Sequence, residues 1–374
     1  MLEIKVFNKE KEFHEFKGRW NSFLSSTRSD TIFMTWEWLA AWWDQFKKGK
    51  ELLILAGYDG EKLVGIAPLM KSKVSAYGIK LDAVMFLGSG QETSPDHMDF
   101  IITEEYRKLF LDAVFKYLMS VKHSWDMLRF EDCVRDDDFI DGLPARIDDK
   151  IKYSVVSNPE NICAFIKLPG TWEEYENSLS SKIRYNIRRN HKNLSKEYGT
   201  EFKMIDDPAE VDRVMRRLIE IHQMRMTEKN KTGQSMTSGF WEFHLRIAPE
   251  LSAGGNLFLG VIKVDDTIIA CQYAFSYNNV IYHYQSGLDT EFRKYGIGKI
   301  LVYSMIEESI KRGFVKFDFL KGNEKYKFDF TDKYVNNMEV MVWNSKFKPL
   351  AAYMVSRLKK SVSAFVKGAN SENG

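Results

Sequence analysis

The chain has 374 residues, of which 44% are hydrophobic and 14% aromatic, and this is enough apolar material for two packed domains. Its 54 Lys and Arg residues nearly balance its 52 Asp and Glu residues, and the net charge of +2 excludes a general DNA-binding or polyanion-binding role. Three widely spaced cysteines predict neither a disulfide framework nor a zinc site. The charged N-terminus and the lack of any long apolar run predict a cytoplasmic protein without a membrane span, and we predict no metal site.

The first half of the chain alternates between helical and strand-like patterns. Helical periodicity predicts helices over residues 10–25, 35–47 and 104–121. Alternation of apolar and polar residues predicts strands at 52–58, 63–70, 83–87, 98–102 and 126–130. Asp59-Gly60 is a strong hairpin turn between the first two of these strands. The polar, acidic segment 131–150 contains Gly and Pro and predicts a loop.

The second half repeats these signals in the same order. Strands are predicted at 162–168, 257–264, 267–277, 280–287 and 315–320, and helices at 171–198, 207–227, 238–249 and 299–311. The hairpin of residues 52–67 can be laid over 257–271, which suggests an ancient duplication. We therefore predict an α/β (mixed α+β) protein of two halves, 1–150 and 151–345, each a mixed twisted sheet flanked by helices. Residues 346–374 are predicted to form a C-terminal helix and a disordered tail.

A glycine-containing turn stands between the strand at 280–287 and the helix at 299–311. Glycines allow a tight turn and a close approach of the backbone to a ligand, and the first N–H groups of a helix attract negative charge. The corresponding place in the first half, 103–108, has no glycine and two acidic residues. The sequence therefore predicts a pyrophosphate-type anion site in the second half alone, formed by Arg293, Lys294, Tyr295, Gly296, Ile297 and Gly298.

The segment Leu288-Asp-Thr-Glu-Phe-Arg293-Lys-Tyr-Gly296-Ile-Gly298 resembles the acyl-CoA-binding signature of the GNAT acyltransferases. The resemblance implies that the backbone amides of this turn hold the CoA pyrophosphate. It also implies that the strands 280–287 and 315–320 separate to admit the pantetheine arm. Acyl-CoA, with acetyl-CoA as the expected form, is therefore the expected co-substrate.

Several further short sequence motifs resemble those of one branch of this superfamily. This branch is the double-GNAT, CelD-like acyltransferases linked to bacterial cellulose and exopolysaccharide synthesis. That branch is distantly similar to the Fem-type peptidoglycan aminoacyltransferases. The matching motifs cover residues 33–43, 64–69, 97–100, 178–189 and 317–327. The resemblance implies two GNAT-like halves, of which the first is degenerate and shapes the acceptor cleft while the second binds acyl-CoA.

Candidate catalytic residues lie in the segment FDFLKGNEKYKFDF. Asp318 interrupts an apolar strand, where an acid is costly unless it is paired or functional. We expect Lys327 to stabilise negative charge, and Glu324 or Asp318 to act as the base. Tyr326 is a candidate substrate-binding residue, and the Tyr326-Lys327 pair matches an aromatic-Lys pair that contributes to catalysis in the Fem-type relatives. The alternative is a structural salt bridge that caps the sheet.

Four further positions are candidates for substrate binding and one for acid catalysis. His222 and Arg225 are three residues apart on a predicted helix and share a face near the acceptor. Arg184 and Arg188 lie on a basic helix face that suits a phosphorylated carrier, although a solvated surface is the alternative. Tyr284 is the candidate acid that reprotonates the leaving thiolate, with core packing as the alternative.

The predicted function is transfer of an acyl group from acyl-CoA to an amine or hydroxyl by direct attack, because no arrangement for a covalent intermediate is visible. The expected acceptor is a sugar, a polysaccharide precursor or another small molecule, free or carrier-linked. One alternative is a Fem-type transferase that uses aminoacyl-tRNA and acts on a cell-wall precursor, but tRNA is disfavoured because no helical-hairpin arm is visible. The other is a catalytically silent module in polysaccharide assembly. Peripheral membrane contact by residues 347–367 is left open.

Overall fold

The computed structural model describes residues 2–90, 93, 95–228 and 239–358. Their contacts divide the chain into two compact units. Unit 1 comprises the described residues of Met1–Gly90, His97–Ser157 and Asn337–Gly374, and unit 2 comprises those of Gln91–Asp96 and Asn158–Asn336. Unit 1 is therefore built from three separate stretches of the chain.

Unit 1 contains a mixed sheet with the strand order β1-β2-β3-β4-β6-β13. These strands and the short β5 are β1 Glu3–Phe7, β2 Lys50–Asp59, β3 Lys62–Ala76, β4 Ile79–Phe86, β5 Ile101–Ile102, β6 Met127–Cys133 and β13 Tyr334–Trp343. Neighbouring strands are antiparallel except β4 and β6, which pair in parallel, and β5 pairs with β3. The helices are α1 Glu10–Glu15, α2 Lys17–Leu24, α3 Trp36–Phe46, α4 Arg107–Ser120 and α5 Asp137–Arg146, and residues 347–358 are also helical.

Unit 2 contains a second mixed sheet with the strand order β8-β9-β10-β11-β12-β7. Its strands are β7 Lys152–Lys167, β8 Thr200–Met204, β9 Leu257–Val264, β10 Thr267–Tyr277, β11 Val280–Leu288 and β12 Lys316–Lys321. Neighbouring strands are antiparallel except β11 and β12, which pair in parallel. The helices are α6 Trp172–Ser178, α7 Ser181–Glu197, α8 Pro208–Glu228, α9 Phe240–Ala253 and α10 Ile297–Lys311.

The two sheets have the same pattern. In each, four consecutive strands run antiparallel, the fourth pairs in parallel with the strand that follows a helix, and a sixth strand closes the order. The helix before the parallel strand is α4 in unit 1 and α10 in unit 2. The prediction of an α/β (mixed α+β) protein with two similar halves, each a mixed sheet flanked by helices, is therefore confirmed.

The helices of unit 2 cover both faces of its sheet. On one face, α6, α7 and α10 bury apolar side chains such as Tyr175, Ile187 and Met305 against β9 to β12. On the other face, α8 packs on β10 and β11, and α9 packs on α8 and β9. Close packing of α8 requires Gly287, because a Cβ atom there would lie 2.6 Å from Ile221 Cγ1 and 2.9 Å from the Leu218 carbonyl oxygen. This contact fixes the distance of α8 from β11.

The hairpins of unit 2 turn at residues whose types suit a tight turn. Asp265 has a φ of 52° between β9 and β10, and Asn278 and Asn279 have φ values of 47° and 58° between β10 and β11. These left-handed conformations are tolerated by Asp and Asn more readily than by most residues, because a short polar side chain can hydrogen-bond locally. Both turns therefore lie where their residue types indicate.

The prediction of a loop over 131–150 is wrong. Residues Asp137–Arg146 form α5, although the helix contains Pro144 and is rich in acidic residues. Its apolar side chains Phe139 and Leu143 are almost completely buried, so packing outweighs the poor local helix propensity.

Other predicted elements are wrong in their extent, and the single helix expected over 10–25 is two helices, α1 and α2. The single helix expected over 171–198 is two helices, α6 and α7, because Leu179 between them has an extended backbone. The strand expected over 98–102 is reduced to β5, preceded by an isolated bridge between Met98 and Cys133. The sequence patterns also missed β1, β8 and β13, while the predicted disordered tail lies outside the described residues.

Candidate functional site

Strands β11 and β12 separate soon after they pair. Their parallel register covers only Val280–Tyr282 against Lys316–Asp318. Beyond that point β12 curls, with φ values of 57° at Leu320 and 134° at Gly322. A gap therefore opens between two central strands of the unit 2 sheet, as the sequence resemblance implied.

The backbone groups left without a strand partner in this gap are hydrogen-bonded by side chains. Asp318 Oδ1 accepts the Leu320 N–H at 2.9 Å, and Asp96 Oδ2 accepts the Lys321 N–H at 2.9 Å. Lys327 Nζ donates to the three consecutive carbonyl oxygens of residues 320–322 at 3.0 to 3.3 Å. Buried backbone groups are costly to leave unpaired, so these side chains make the separation of the strands possible.

One cavity lies on the α10 face of the gap. This glycine-loop cavity has a volume of about 440 Å³ and is lined by Asn190, Gln272, His283, Ser286, Arg293, Tyr326 and the α10 N-terminus, residues 296–299. The backbone N–H groups of the first turn of a helix have no intrahelical acceptor, and the helix dipole adds positive potential there. One end of the cavity therefore has the positive potential of a helix N-terminus, which suits an anion. The other end lies at the strand gap.

The geometry of the glycine loop explains its glycine. Gly296 caps the N-terminus of α10 in the left-handed conformation, with φ 61° and ψ 36°. A Cβ atom there would lie 2.8 Å from Asn190 Nδ2, so a side chain would be strained and would also crowd the cavity. Gly298 is equally close to β11, because its Cβ would lie 2.8 Å from Leu288 Cδ1.

The structure divides the six residues predicted for this loop into two groups. Arg293, Gly296, Ile297 and Gly298 line the glycine-loop cavity. Tyr295 is instead buried in the hydrophobic core, and the Lys294 ammonium lies 4.7 Å from the Tyr295 ring centre and 3.9 Å from Glu197.

A second cavity lies on the α8 face of the gap. This α8 cavity has a volume of about 590 Å³, and its walls come from α8, β11, the end of β12 and the following turn. Its polar lining residues are Asp96, His222, Arg225, Tyr284, Glu324, Tyr326 and Lys327. Arg225, His283, Ser286 and Tyr326 line both cavities, so the two cavities share walls at the strand gap.

His283 and Tyr326 form a pair at this junction. The Tyr326 hydroxyl lies 3.3 Å from His283 Nε2, and His283 Nδ1 has no hydrogen-bond partner among the described residues. Burial and, to a smaller extent, the nearby Lys327 ammonium lower the pKa of His283 to about 3. Burial and the Glu324 carboxylate raise the pKa of Tyr326. At neutral pH the pair is thus a neutral imidazole next to a protonated phenol, which can accept and donate a proton respectively.

A bulge in β11 directs His283 and Ser286 into the same cavity. Tyr273 faces Gln285 and Ala274 faces His283, so Tyr284 is an extra residue without a partner in β10. One extra residue reverses the side-chain alternation. Positions 283 and 286 therefore share the α10 face, although their spacing is odd.

Tyr284, the predicted acid, lies on the α8 face. Its hydroxyl donates to the Thr93 carbonyl oxygen and lies 3.1 Å from His244 Nε2, while His244 Nδ1 lies 3.3 Å from the Tyr273 hydroxyl. Burial raises the pKa of Tyr284 far above its usual value and lowers that of His244 to about 3. The hydroxyl proton of Tyr284 is thus already donated in a hydrogen bond to a backbone carbonyl oxygen.

His222 and Arg225 share one wall of the α8 cavity, as the helical spacing predicted. His222 is 1% exposed and packs edge-on against Trp241 with ring centres 5.4 Å apart. Burial and the adjacent Arg225 guanidinium lower the pKa of His222 to about 4. Arg225 is half-buried.

Arg184, Arg188, Glu324 and Asp318 are engaged by protein groups. On α7, Arg184 Nη1 donates to Asn177 Oδ1 at 2.8 Å and Arg188 pairs with Glu176 at 2.5 Å. Glu324 is 57% exposed and lies 2.9 Å from Lys327, and the buried Asp318 pairs with Lys316 at 2.7 Å. Neither arginine nor Asp318 lines the glycine-loop cavity or the α8 cavity.

The sequence patterns did not select the most central residue of the junction, His283. The only available signal was its position in the strand before the glycine loop, where a histidine is by default a core residue. Asn190, Gln272 and Ser286 were missed for the same reason, because each belongs to an element whose pattern indicates packing alone. The strand gap gives these side chains access to a ligand.

The part of the chain that the structure describes has neither a cluster of metal ligands nor a helix suited to span a membrane. No group of three or more His, Cys, Asp or Glu side chains there is placed to hold a metal ion. No helix there combines the length and the apolar composition that a membrane span requires.

Comparison with protein families matches residues 181–328 to the acetyltransferase (GNAT) domain family. The matched stretch contains α7 to α10, the glycine loop and both separating strands. This stretch of unit 2 is therefore similar to a GNAT-type acetyltransferase domain. No curated protein matches the chain in sequence.

Solved structures show the same fold over most of the chain. FemX is 12% identical, with a TM-score of 0.61, over 87% of this chain and 95% of its own. A conserved protein of unknown function from Bacteroides thetaiotaomicron VPI-5482 is 12% identical, with a TM-score of 0.57, over 91% of this chain and 100% of its own. The C-terminal domain (DUF2156) of a putative lysylphosphatidylglycerol synthetase from Agrobacterium fabrum is 11% identical, with a TM-score of 0.52, over 92% and 97%. At such low identity these likenesses establish the fold and no more.

Proposed function

We propose that unit 2 transfers an acyl group, with acetyl as the expected group, from acyl-CoA to an amine or hydroxyl of a small or carrier-linked acceptor. The observation that carries the proposal is the pair of cavities that share walls at the gap between β11 and β12. One cavity contains a left-handed glycine at a helix N-terminus, which suits a pyrophosphate, and the other is free to take an acceptor from the opposite face.

The glycine-loop cavity fits the donor. The amides of Ile297 and Gly298 begin α10, so they are available to phosphate oxygens, and Arg293 and Lys299 add positive charge to the same wall. A pantetheine arm can hydrogen-bond to backbone groups of β11 that β12 leaves free beyond Tyr282. The thioester then lies at the junction that His283 and Tyr326 line.

The proposed chemistry uses these two side chains to move one proton. The acceptor amine attacks the thioester carbonyl carbon, and His283 takes the proton that the new C–N bond makes acidic. The C–S bond breaks, Tyr326 gives its hydroxyl proton to the thiolate sulfur, and the protonated His283 returns a proton to Tyr326. The net change is one proton moved from nitrogen to sulfur, and a neutral imidazole is required at the start.

Lys327 and Asp318 have a different part in this scheme. Their polar atoms hydrogen-bond to the curled end of β12, which supports a role in holding the gap open. Lys327 also lowers the pKa of His283, so its charge keeps the imidazole neutral without contact with substrate.

A sugar or polysaccharide precursor is the acceptor class that the CelD-like resemblance favours. The Fem-type alternative, with aminoacyl-tRNA as donor, is favoured by the fold shared with FemX. It is also favoured by the exposed basic side chains Arg189, Lys192 and Lys196 on α7, which suit a nucleic-acid backbone. The two donors make different demands on the glycine loop, since only CoA brings a pyrophosphate.

Calorimetric titration with acetyl-CoA, CoA and aminoacyl-tRNA tests the proposal. We expect acetyl-CoA and CoA to bind with 1:1 stoichiometry, and Gly296→Asp to remove binding because it adds a negative charge and a side chain at the anion site. Gly313→Asp is the matched control, because Gly313 also has a positive φ of 81°, at the other end of α10, but has open space around it. Absence of CoA binding together with tight binding of aminoacyl-tRNA would replace the proposed donor with the alternative one.

A further inference from the structure

We propose that the α8 cavity selects an acceptor that carries an anionic group, a carboxylate or a phosphate, close to its nucleophile, and that Arg225 binds this group. The inference rests on the proposed acyl transfer and names the acceptor class. A cavity of about 590 Å³ accommodates a small molecule or the end of a larger one.

Arg225 differs from the other charged residues of this cavity. Lys327 is held by three carbonyl oxygens and Glu324, and Asp96 accepts the Lys321 N–H. Among the residues whose side chains the structure describes, Arg225 has no ion-pair or hydrogen-bond partner. It is nonetheless half-buried and lines both cavities.

A half-buried guanidinium without a counter-charge is costly, because burial removes part of its hydration. The same residue is well suited to bind an oxyanion, since its planar fork of N–H donors matches a carboxylate or a phosphate with two parallel hydrogen bonds. Arg225 therefore has the charge and the donor geometry of an anion site, with no counter-charge supplied by the described side chains.

Arg225 lies where the two cavities share a wall, and the residues proposed for the donor pyrophosphate lie elsewhere. The Gly296–Gly298 amides and Arg293 line the glycine-loop cavity and not the α8 cavity, so the pyrophosphate has a separate site. Arg225 lies on α8, whose distance from β11 is fixed by the contact at Gly287. Arg225 thus lies at the junction, on the helix that forms one wall of the α8 cavity.

A cation at this position also helps an amine to react. A positive charge nearby disfavours an ammonium ion, and Arg225 already contributes to the low pKa of the adjacent His222. An anionic acceptor is thus held by a charge that simultaneously favours the neutral, nucleophilic form of its amine. A simple amine without the anion gains only the second effect and is repelled in its protonated form.

Two matched pairs of probes test the inference by calorimetry in the presence of CoA. They are 3-aminopropanoate against propylamine, and 2-aminoethyl phosphate against 2-aminoethanol. We expect at least one anionic probe to bind about 10- to 100-fold more tightly than its partner without the anionic group, the range of a charge-assisted hydrogen bond. Arg225→Gln should remove this preference, and Arg225→Lys should retain part of it.

Arg216→Gln is the matched control, because Arg216 lies on the same helix and is paired with Asp212 at 2.8 Å on the surface. It should keep the full preference. Equal binding of both members of each pair to the unmodified protein overturns the inference, and so does failure of every anionic probe to bind at about 10 mM. Weaker CoA binding by Arg225→Gln with unchanged probe binding also overturns it, because Arg225 would then be a donor residue. Failure of the proposed function shows separately, as loss of CoA binding by the unmodified protein.

Discussion

Three buried histidines of unit 2 should make the protein sensitive to mild acid. Burial lowers the pKa of His244 and His283 to about 3 and that of His222 to about 4, against a usual value of 6.5. We consider the effect of lowering the pH from 6.5 to 5 on the stability of the folded protein. It matters for function because the proposed mechanism needs His283 as a neutral imidazole.

The sign and the size of the effect follow from proton uptake. Below pH 6.5 the unfolded chain binds a proton at each of these histidines while the folded protein does not, so stability is lost as the pH falls from 6.5 towards the folded pKa values. Each histidine contributes about 1.4 kcal/mol per pH unit in this window, and the three together contribute roughly 4 kcal/mol per pH unit near pH 5. Carboxylates with lowered pKa values, such as Asp206, lose their contribution only at lower pH, because their usual values are 3.8 to 4.5.

Urea unfolding at several pH values measures this slope, and single substitutions assign it. His283→Gln should decrease the slope of the unfolding free energy near pH 5 by about 1.4 kcal/mol per pH unit, the share of one proton. His191→Gln is the control and should leave the slope unchanged, because an exposed side chain is solvated in both states. An unchanged slope in His283→Gln would refute the burial argument, and with it the neutral base in the proposed mechanism.

Three further substitutions separate chemistry from structure. Tyr326→Phe should lower kcat about 100-fold and leave the Kd of acetyl-CoA within about twofold, because it removes a proton donor and no donor-binding group; a loss of binding of the same size would contradict this. Lys327→Met should decrease the free energy of unfolding by about 2–4 kcal/mol, measured by urea denaturation, because it leaves three carbonyl oxygens of residues 320–322 without their donor. Arg107→Met should destabilise unit 1 by less than the roughly 3–5 kcal/mol of a fully unpaired buried charge, because Asp99 and Asp136 lose their buried counter-ion but keep Arg28, while CoA affinity stays unchanged in calorimetry.

Local sequence signals were sufficient for much of the fold. The hairpins at Asp265 and at Asn278-Asn279 were predictable because the residue type and the turn conformation agree. Helix α10 was predictable from its apolar spacing and the glycine before it. Helix α5 was not, because its formation depends on the burial of Phe139 and Leu143 by distant parts of unit 1. The local sequence around these two residues does not indicate which distant residues pack against them.

The candidate site was predictable only where it is local. The glycine loop is contiguous, so six adjacent residues were enough to predict an anion site there, and four of them line the glycine-loop cavity. The junction between the cavities combines α8, β11 and the turn after β12, and its key residue His283 has an ordinary strand pattern around it. Lys327 was selected from sequence as a charge stabiliser, but its contacts with residues 320–322 depend on the curl of β12 at Leu320, which no local pattern indicates.

The two units differ in what lies beside their short parallel strand pairs, and this difference decides whether the gap is accessible to a ligand. In unit 1 the parallel strands β4 and β6 also pair over only three residues, Ala83–Met85 against Met127–Arg129. There the space beside them is filled by Phe100, whose ring centre lies 5.0 Å from Phe86 and 5.5 Å from Phe130. In unit 2 hydrogen-bonding side chains stabilise the separated strand, and His283 and Tyr326 stand where the cavities meet. An aromatic side chain that fills such a gap stabilises it by burying apolar surface. Side chains that hydrogen-bond to the unpaired backbone groups stabilise the gap while leaving space for a ligand. The polar groups around β12, more than the short strand pairing itself, therefore distinguish the unit for which we propose donor binding.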